Sequence, residues 1–508
     1  MLLMPGKVIY DGNKEEYVVE DFLGNGAFGY VFKIKLIKDN SFWALKTIPS
    51  FASETALHSF LNESQLAMKV VHPHVTKYLY VHDGSTHENL PPYIIMEYAN
   101  SGTLMSLLEK HKKDNKFLDN KLLHEYFLQL IKGMENINSC LIHRDIKPDN
   151  ILINDEQLKI TDFGLSKVVT DKTRTLTFKG IGHLKYMAPE GWRIDTNTIQ
   201  MDIYSMGLVF YELATLCFPY NVKNESDVNE WKDVHLFQTP SVPNIINSNL
   251  SPLLSNVILK MINKSVSDRF KSWQEIEQQL LKDNSESSNN STLVNALLNN
   301  QLAKDNSEQQ AILKKRKEQQ EKEDFFKLVA YQFNEAIYLP LKKIIDEFND
   351  KYQNGNIRIT DMPKHPQKEL NISIKMISNK KIDISFKCII DEDCYKEVVF
   401  NDYGRTIRRT QLNRPTLRGR KVLAWGYIGD ISNKGYNILL LEKKDDIYGE
   451  WSVLNNRNSG LSNRLREEPF YFDYDEFEEE INHIDSMHIY STEIRPLKIE
   501  NLFSLFTF

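Results

Sequence analysis

Between residues 24 and 46 the chain holds two features that bear on phosphate chemistry. Gly24, Gly26 and Gly29 recur within Gly24-Asn25-Gly26-Ala27-Phe28-Gly29-Tyr30-Val31. Glycine carries no Cβ, so a turn built from it can lie close to a phosphate with its backbone N–H groups pointing inward. A dinucleotide-binding turn shares that spacing, but it opens a helix. Here strand-like VVEDFL precedes the glycines and strand-like VFKIKLI follows them, so the pattern predicts a hairpin. Lys46, in FWALK, then sets an ammonium inside an apolar strand, where an unpartnered charge is expensive to bury.

Three further strings follow in order: His143-Arg144-Asp145-Ile146-Lys147-Pro148-Asp149-Asn150, Asp162-Phe163-Gly164 and Ala188-Pro189-Glu190. Single motifs of this length recur by chance; five in register do not. With them, residues 17–281 resemble the protein kinase family in its eukaryotic-like, Hanks-type form. That resemblance implies a two-lobed α+β fold, with a β-rich N-lobe and a helical C-lobe. It also implies phosphoryl transfer, which needs positioning and charge neutralisation more than covalent catalysis.

Each part of the resemblance implies a role. Leu23, Gly24, Asn25, Gly26, Ala27, Phe28, Gly29, Tyr30 and Val31 would cover ATP, with Phe28 at the loop tip. Lys46 would hold the α- and β-phosphates, paired with Glu63, which stands ten residues before Pro73 as the family spacing asks. Asp145 would accept the proton of the attacking hydroxyl, and Lys147 would steady the transferred group. Asn150 and Asp162 would hold magnesium. Met96 resembles the gatekeeper, Glu97 to Ala99 the hinge that bonds adenine, and Val31, Ala44 and Leu152 the walls around the ring. Ordinary core packing is the alternative for those apolar positions. Asp202 resembles the aspartate that buttresses the catalytic loop, and Glu190 with Arg269 the buried ion pair of the C-lobe.

Lysine two residues after Asp145 resembles the serine/threonine branch. Two departures stand out: Gly182 is followed by His183 where that branch has threonine, and Lys179 occupies the usual phosphosite, eleven residues before Glu190. Thr173, Thr175 and Thr177 lie just before it. The presence of Arg144 implies an anionic partner on this loop, and a phosphothreonine would supply one. Autophosphorylation at one or more of the three threonines is expected; plain polar loop residues are the alternative.

The elements that must position these residues sit in a chain of 508 residues, enough for roughly two to four domains. Hydrophobic content of 41% and charged content of 26% exclude a chain disordered throughout. With 63 basic and 69 acidic residues the net charge is −6, so a nucleic-acid or membrane partner would need a local patch. Cys140, Cys217, Cys388 and Cys394 form no CxxC pair and suit a reducing cytosol better than a disulfide framework. No signal-peptide leader is seen. The longest apolar stretch, 201–218, is interrupted by Asp202 and Glu212 and reads as a core helix, since a bilayer needs about 20 apolar residues. A soluble, cytoplasmic protein is expected.

Residues 1–16 read as an N-terminal extension and 17–281 as the catalytic domain. Residues 282–311, rich in Asn, Ser and Gln, read as a linker. Residues 312–352 read as a charged helix, bent or broken near Pro340. That helix could pair with a second copy as a coiled coil, or pack on the kinase lobe. From Asn356 the period shifts towards two, which predicts a C-terminal α+β domain, 356–508, built on an antiparallel sheet with a tight turn at Asn433–Gly435.

Charge is segregated in this tail. Arg405, Arg408, Arg409, Arg414, Arg418, Arg420 and Lys421 accumulate where no acid occurs, and nine acids follow between Glu467 and Asp485. Solvated faces that attract each other are the plainer reading; a docking site for nucleic acid or a phosphorylated segment is the sharper one. Trp425, Tyr427 and Trp451 could stack on bases, though at strand spacing they read as core. No metal site is assigned to Cys388, Cys394 and His365. The expected function is that of an ATP- and Mg-dependent kinase acting on protein serine/threonine hydroxyls, its own included, in signalling or phage defence. A nucleotide-binding pseudokinase scaffold is the alternative, opposed by the presence of Lys46, Asp145 and Asp162.

Overall fold

The computed structural model describes residues 3–26, 29–47, 61, 64–85, 90–162, 184–193, 198–283, 291–365, 367–402, 405–444, 446, 448–458, 469–474, 476–481, 484 and 490–498. Two compact units divide the chain, Met1–Lys315 and Arg316–Phe508.

The first unit opens with a six-stranded antiparallel sheet, β1 Val8–Tyr10, β2 Glu16–Gly26, β3 Gly29–Leu36, β4 Phe42–Thr47, β5 Tyr78–His82 and β6 Tyr93–Glu97, in the order β1-β2-β3-β4-β6-β5. Tyr17, Val19, Phe32 and Ile34 are buried at period two and build one core. The glycine string forms the predicted hairpin: Gly26 pairs with Gly29, whose φ of +138° suits a residue without Cβ.

A larger, helical part follows. Helix Asn120–Asn138 is capped by Asp119, whose carboxylate accepts from Lys121 N at 2.9 Å. Its Leu123, Phe127, Leu130, Met134 and Ile137 recur at helical spacing and are buried. A Cβ on Gly133 would meet His74 O at 2.8 Å, so glycine lets this helix lie against the chain at His74. Helix Ile199–Thr215 is buried nearly all round, and Phe210 stacks on Phe127 at 3.8 Å between ring centres. Between these helices, hairpin β7 Ile151–Asn154 and β8 Gln157–Ile160 crosses the site. No helix of the described residues is long and apolar enough to cross a membrane.

Residues 291–311, expected as a linker, belong instead to a helix, Ser291–Phe333. Tertiary and i,i+4 bonds override the weak propensity of its Asn and Ser residues: Asn306 Nδ2 donates to Pro240 O at 3.0 Å and Gln301 Nε2 to Asp305 at 2.6 Å. The expected break near Pro340 is a single π turn, Asn334–Tyr338, before helix Leu339–Lys351. Proline has no N–H and its ring clashes with the carbonyl four residues back; in the π turn Leu339 N bonds Asn334 O, five residues back.

The second unit is a seven-strand antiparallel path. Its strands are β9 Arg358–Ile359, β10 Glu369–Lys375, β11 Lys381–Cys388, β15 Arg420–Gly429, β16 Gly435–Leu441, β17 Glu450–Asn458 and β18 Tyr490–Pro496. A separate hairpin, β12 Tyr395–Asp402 with β13 Arg405–Leu412, and the short β14 Thr416–Leu417 complete the set. Val329, Phe333, Ile337, Leu341 and Ile345 cover one sheet face, with Phe333 4.9 Å from Phe386 and 5.8 Å from Trp451 between ring centres. Trp425, Leu439, Leu454, Ile481 and Ile484 form the core on the other. Asn433, at φ +58°, makes the predicted turn between β15 and β16.

Trp425 and Trp451 are buried and Tyr427 stacks on Tyr471, so the core reading of these aromatics holds. Three members of the basic cluster pair outside the acidic run: Arg414 with Asp391, Arg420 with Glu450 and Lys421 with Glu442. Arg408 stands 3.9 Å from Glu397; the side chains of Arg405 and Arg409 lie outside the described residues.

Candidate active site

The loop that carries the candidate site is held by one buried carboxylate. Asp202, at the start of helix Ile199–Thr215, is 1% exposed. Its Oδ2 accepts from His143 N at 2.8 Å and Asn138 Nδ2 at 2.8 Å, and its Oδ1 from Arg144 N at 2.9 Å. Trp273 Nε1 in turn donates to Asn138 Oδ1 at 2.7 Å. His143 is buried beneath: Nδ1 accepts from Asp145 N at 3.3 Å, so Nε2 carries the proton that goes to Thr161 O at 3.0 Å. These bonds hold Arg144 at φ +65°, a left-handed backbone that a non-glycine residue keeps only when its surroundings impose it.

Asp145 emerges from that loop with its carboxylate mostly shielded. Its Oδ2 faces Asn150 Nδ2 at 3.0 Å and Lys147 Nζ at 3.6 Å. Asn150 Nδ2 also donates to Asp145 O at 2.7 Å. Pairing of Ile151 with Ile160, and the bond from Thr161 N to Asn150 O at 2.9 Å, set Asn150 beside Asp162. Asp162, at φ +60°, receives Lys46 Nζ from β4 at 2.6 Å. Asp145, Lys147, Asn150, Asp162 and Lys46 are thereby gathered in one place from three stretches of chain.

The comparisons with known proteins cover the same part of the chain. The protein kinase domain family matches residues 17–282, more than half of the chain. The chain belongs to the protein kinase family. It is 30% identical over 271 residues to a probable serine/threonine-protein kinase of Clostridium acetobutylicum, covering 52% of this chain and 39% of that one. It is 29% identical over 255 residues to the probable serine/threonine-protein kinase nek2 of Dictyostelium discoideum, covering 49% and 59%. The Aurora kinase of Encephalitozoon cuniculi is 30% identical over 249 residues, covering 48% of this chain and 88% of that one. The chain thus spans well under two thirds of the length of the first two relatives.

Other expected parts of the kinase domain are placed as follows. Ala44 pairs with Met96 across β4 and β6, both buried, and Val31 packs on the same core. Leu152 is half-buried and bridges Thr103. In the hinge, the Glu97 amide donates to Lys77 O at 2.9 Å and its carboxylate meets Lys159 Nζ at 2.9 Å. Ala99 is half-buried. Leu23 and Tyr30 are exposed on β2 and β3. Asn25 and Gly26 end β2, with their side chains outside the described residues, and Ala27, Phe28, Glu63 and the whole of 163–183 lie outside them too. That span holds Thr173, Thr175, Thr177, Lys179, Gly182 and His183. Glu190 takes both nitrogens of Arg269, at 2.7 and 2.9 Å, within a buried pair.

Glu212 with Lys112, Lys185 and Tyr186 was not singled out as a group by any motif. The available signal was the acid itself, alone in the apolar turns of a core helix, since a buried carboxylate requires partners.

Proposed function

We propose that this chain transfers the γ-phosphoryl group of ATP to serine/threonine hydroxyls of proteins, including its own. The observation that carries the reading is the Asp145 carboxylate, buried and held between Lys147 and Asn150 beside the Lys46–Asp162 pair. A carboxylate so placed accepts the proton of an attacking hydroxyl, and Lys147 offsets the charge that grows on the transferred group.

The donor set also fits a magnesium ion. Asn150 spends its amide nitrogen on Asp145, which leaves its carbonyl oxygen, with the Asp162 carboxylate, as hard oxygen ligands of the kind magnesium prefers. Magnesium bound there would neutralise the phosphates of ATP. Glu63 is proposed as the partner of Lys46 once nucleotide is bound, and the glycine hairpin with Ala44, Met96 and Leu152 as the nucleotide's cover. Residues 17–281 carry the transfer. The helix 312–352 and the domain 356–508 serve regulation or docking. Four cysteines with no disulfide between them suit a cytoplasmic setting.

Intact-mass analysis of purified protein with MgATP, beside Asp145→Ala and Asp162→Ala, tests the reading. Phosphate should be added to wild type alone, and peptide mapping should place it at Thr173, Thr175 or Thr177. Wild type that binds ATP yet stays as light as both variants, alone and with added protein substrate, would refute transfer and leave a scaffold.

A further inference from the structure

Glu212 lies outside the transfer chemistry and faces more positive charge than it needs. Its side chain is 1% exposed. Oε2 accepts the Tyr186 hydroxyl, while Oε1 faces two ammonium groups, Lys185 Nζ at 2.8 Å and Lys112 Nζ at 3.6 Å. Burial and the neighbouring Glu212 charge push the Tyr186 hydroxyl well above its usual range, so it remains a donor. One ammonium and one hydroxyl satisfy a buried carboxylate. The second ammonium exceeds what this one carboxylate needs, and both lysines reach the surface, at 26% and 36% exposure.

The position of this charge is what gives it meaning. Lys112 lies in the last turn of a helix, Leu104–Lys113, that packs against Pro148–Asn150, the turn just after Asp145 and Lys147. Lys185 lies in the stretch leading to Ala188-Pro189-Glu190, and Tyr186 feels the Asp149 carboxylate of the same turn. Lys185 cannot swing freely: its ammonium also sits 4.7 Å from the Phe218 ring centre and 5.3 Å from that of Tyr186. Lys110, His111, Lys113 and Lys116 extend the basic stretch, with Asp114 the one acid between 110 and 116. The helix dipole accounts for lysines in a last turn. It does not account for two ammoniums on one buried oxygen.

We infer that Lys112 and Lys185 select acidic side chains flanking the phosphorylated hydroxyl, so that the preferred substrate is an acidic serine/threonine segment. The inference rests on the kinase reading above. A half-exposed ion pair supports about fivefold discrimination per acidic residue, and salt screens it.

The test uses the full chain with MgATP and a dephosphorylated peptide library from a digested proteome, with products sequenced by mass spectrometry. Asp and Glu should be enriched at flanking positions. An acidic peptide should exceed its alanine counterpart about fivefold in kcat/KM, through KM, and lose that margin at high salt. Lys112→Ala keeps Glu212 paired with Lys185 and Tyr186, so it should fold and cut the acidic-to-neutral ratio several-fold; Lys112→Glu should turn the preference towards basic flanks. A purely structural Lys112 would change all peptides alike and leave the ratio fixed. Basic or absent flanking preference, or an unchanged ratio in Lys112→Ala, overturns the inference while the kinase reading stands. Self-phosphorylation without transfer to any peptide does the same. Neither transfer nor self-phosphorylation removes both.

Discussion

The carboxylate of Asp202 collects three N–H donors from two segments, and one of them, Arg144, sits in a strained backbone conformation. Buried polar side chains at this scale act as positioners, and their state of protonation enters the stability of the fold. His235 is the clearest case. It is fully buried, its Nδ1 lies 2.9 Å from the Tyr204 hydroxyl, and burial followed by the nearby Lys264 charge holds its pKa well below the usual value. Unfolded, the ring titrates near about 6.5, so below that pH the unfolded chain binds a proton that the folded chain refuses. Stability should therefore fall as pH drops below about 6.5, by up to ~1.4 kcal/mol per pH unit. His72 and His74, also held low chiefly by burial, act in the same direction. Urea melts of wild type and His235→Gln between pH 5 and 7.5 measure this, and the variant should show a shallower slope; an equal slope would reject the assignment. Asp145, Asp162 and Asp202 were legible through the resemblance of their motifs to the kinase family. The second lysine on Glu212 was not, because no local pattern places residue 112 beside residue 185.

Elements became legible where one periodicity governed a whole segment. The strands around Ile372, Ile384, Ala424, Ile438 and Val453 announced themselves by alternation, and the turn at Asn433 by its residue types. Helix Ser291–Phe333 did not, since Asn and Ser, weak formers, interrupt its first half and one of them, Asn306, is held by a partner distant in sequence. The hairpin of β12 and β13 was equally silent: charged residues interrupt its alternation. A polar feature inside the second unit was also unreadable. Asn437, on β16, is wholly buried and donates to Gly426 O at 3.1 Å and Phe472 O at 2.9 Å, while it accepts from Phe472 N at 2.9 Å and Asn456 Nδ2 at 3.0 Å. One amide thereby pins the segment around Phe472 across the sheet. Asn437→Ala strands several buried groups, and a loss of about 2–4 kcal/mol is expected. Hydrogen exchange over 469–474 should quicken well before that of β16. A loss below ~1 kcal/mol with unchanged exchange would show that the segment is held by its aromatic contacts instead.

At the scale of the molecule, the buried residues fall into cores that each belong to one unit. Those around Phe127 and Tyr93 lie in Met1–Lys315, and those around Phe333 and Trp425 lie in Arg316–Phe508. The cores of one compact unit melt together, because removing part of a unit exposes the rest. The chain should accordingly unfold in two transitions that can be moved one at a time. Phe333→Ala removes a ring packed against Phe386 and Trp451, and should destabilise the second unit by about 3–5 kcal/mol. ATP binds the first unit in the proposed function, so MgATP at a hundred times its Kd should stabilise that unit by about 2.7 kcal/mol. Scanning calorimetry with both perturbations, singly and together, assigns each transition to its unit. If Phe333→Ala shifted both transitions equally, or if MgATP raised the one that Phe333→Ala lowers, the cores would have to be energetically continuous. The C-terminal domain would then sense nucleotide through shared stability, a coupling that two independently melting units exclude.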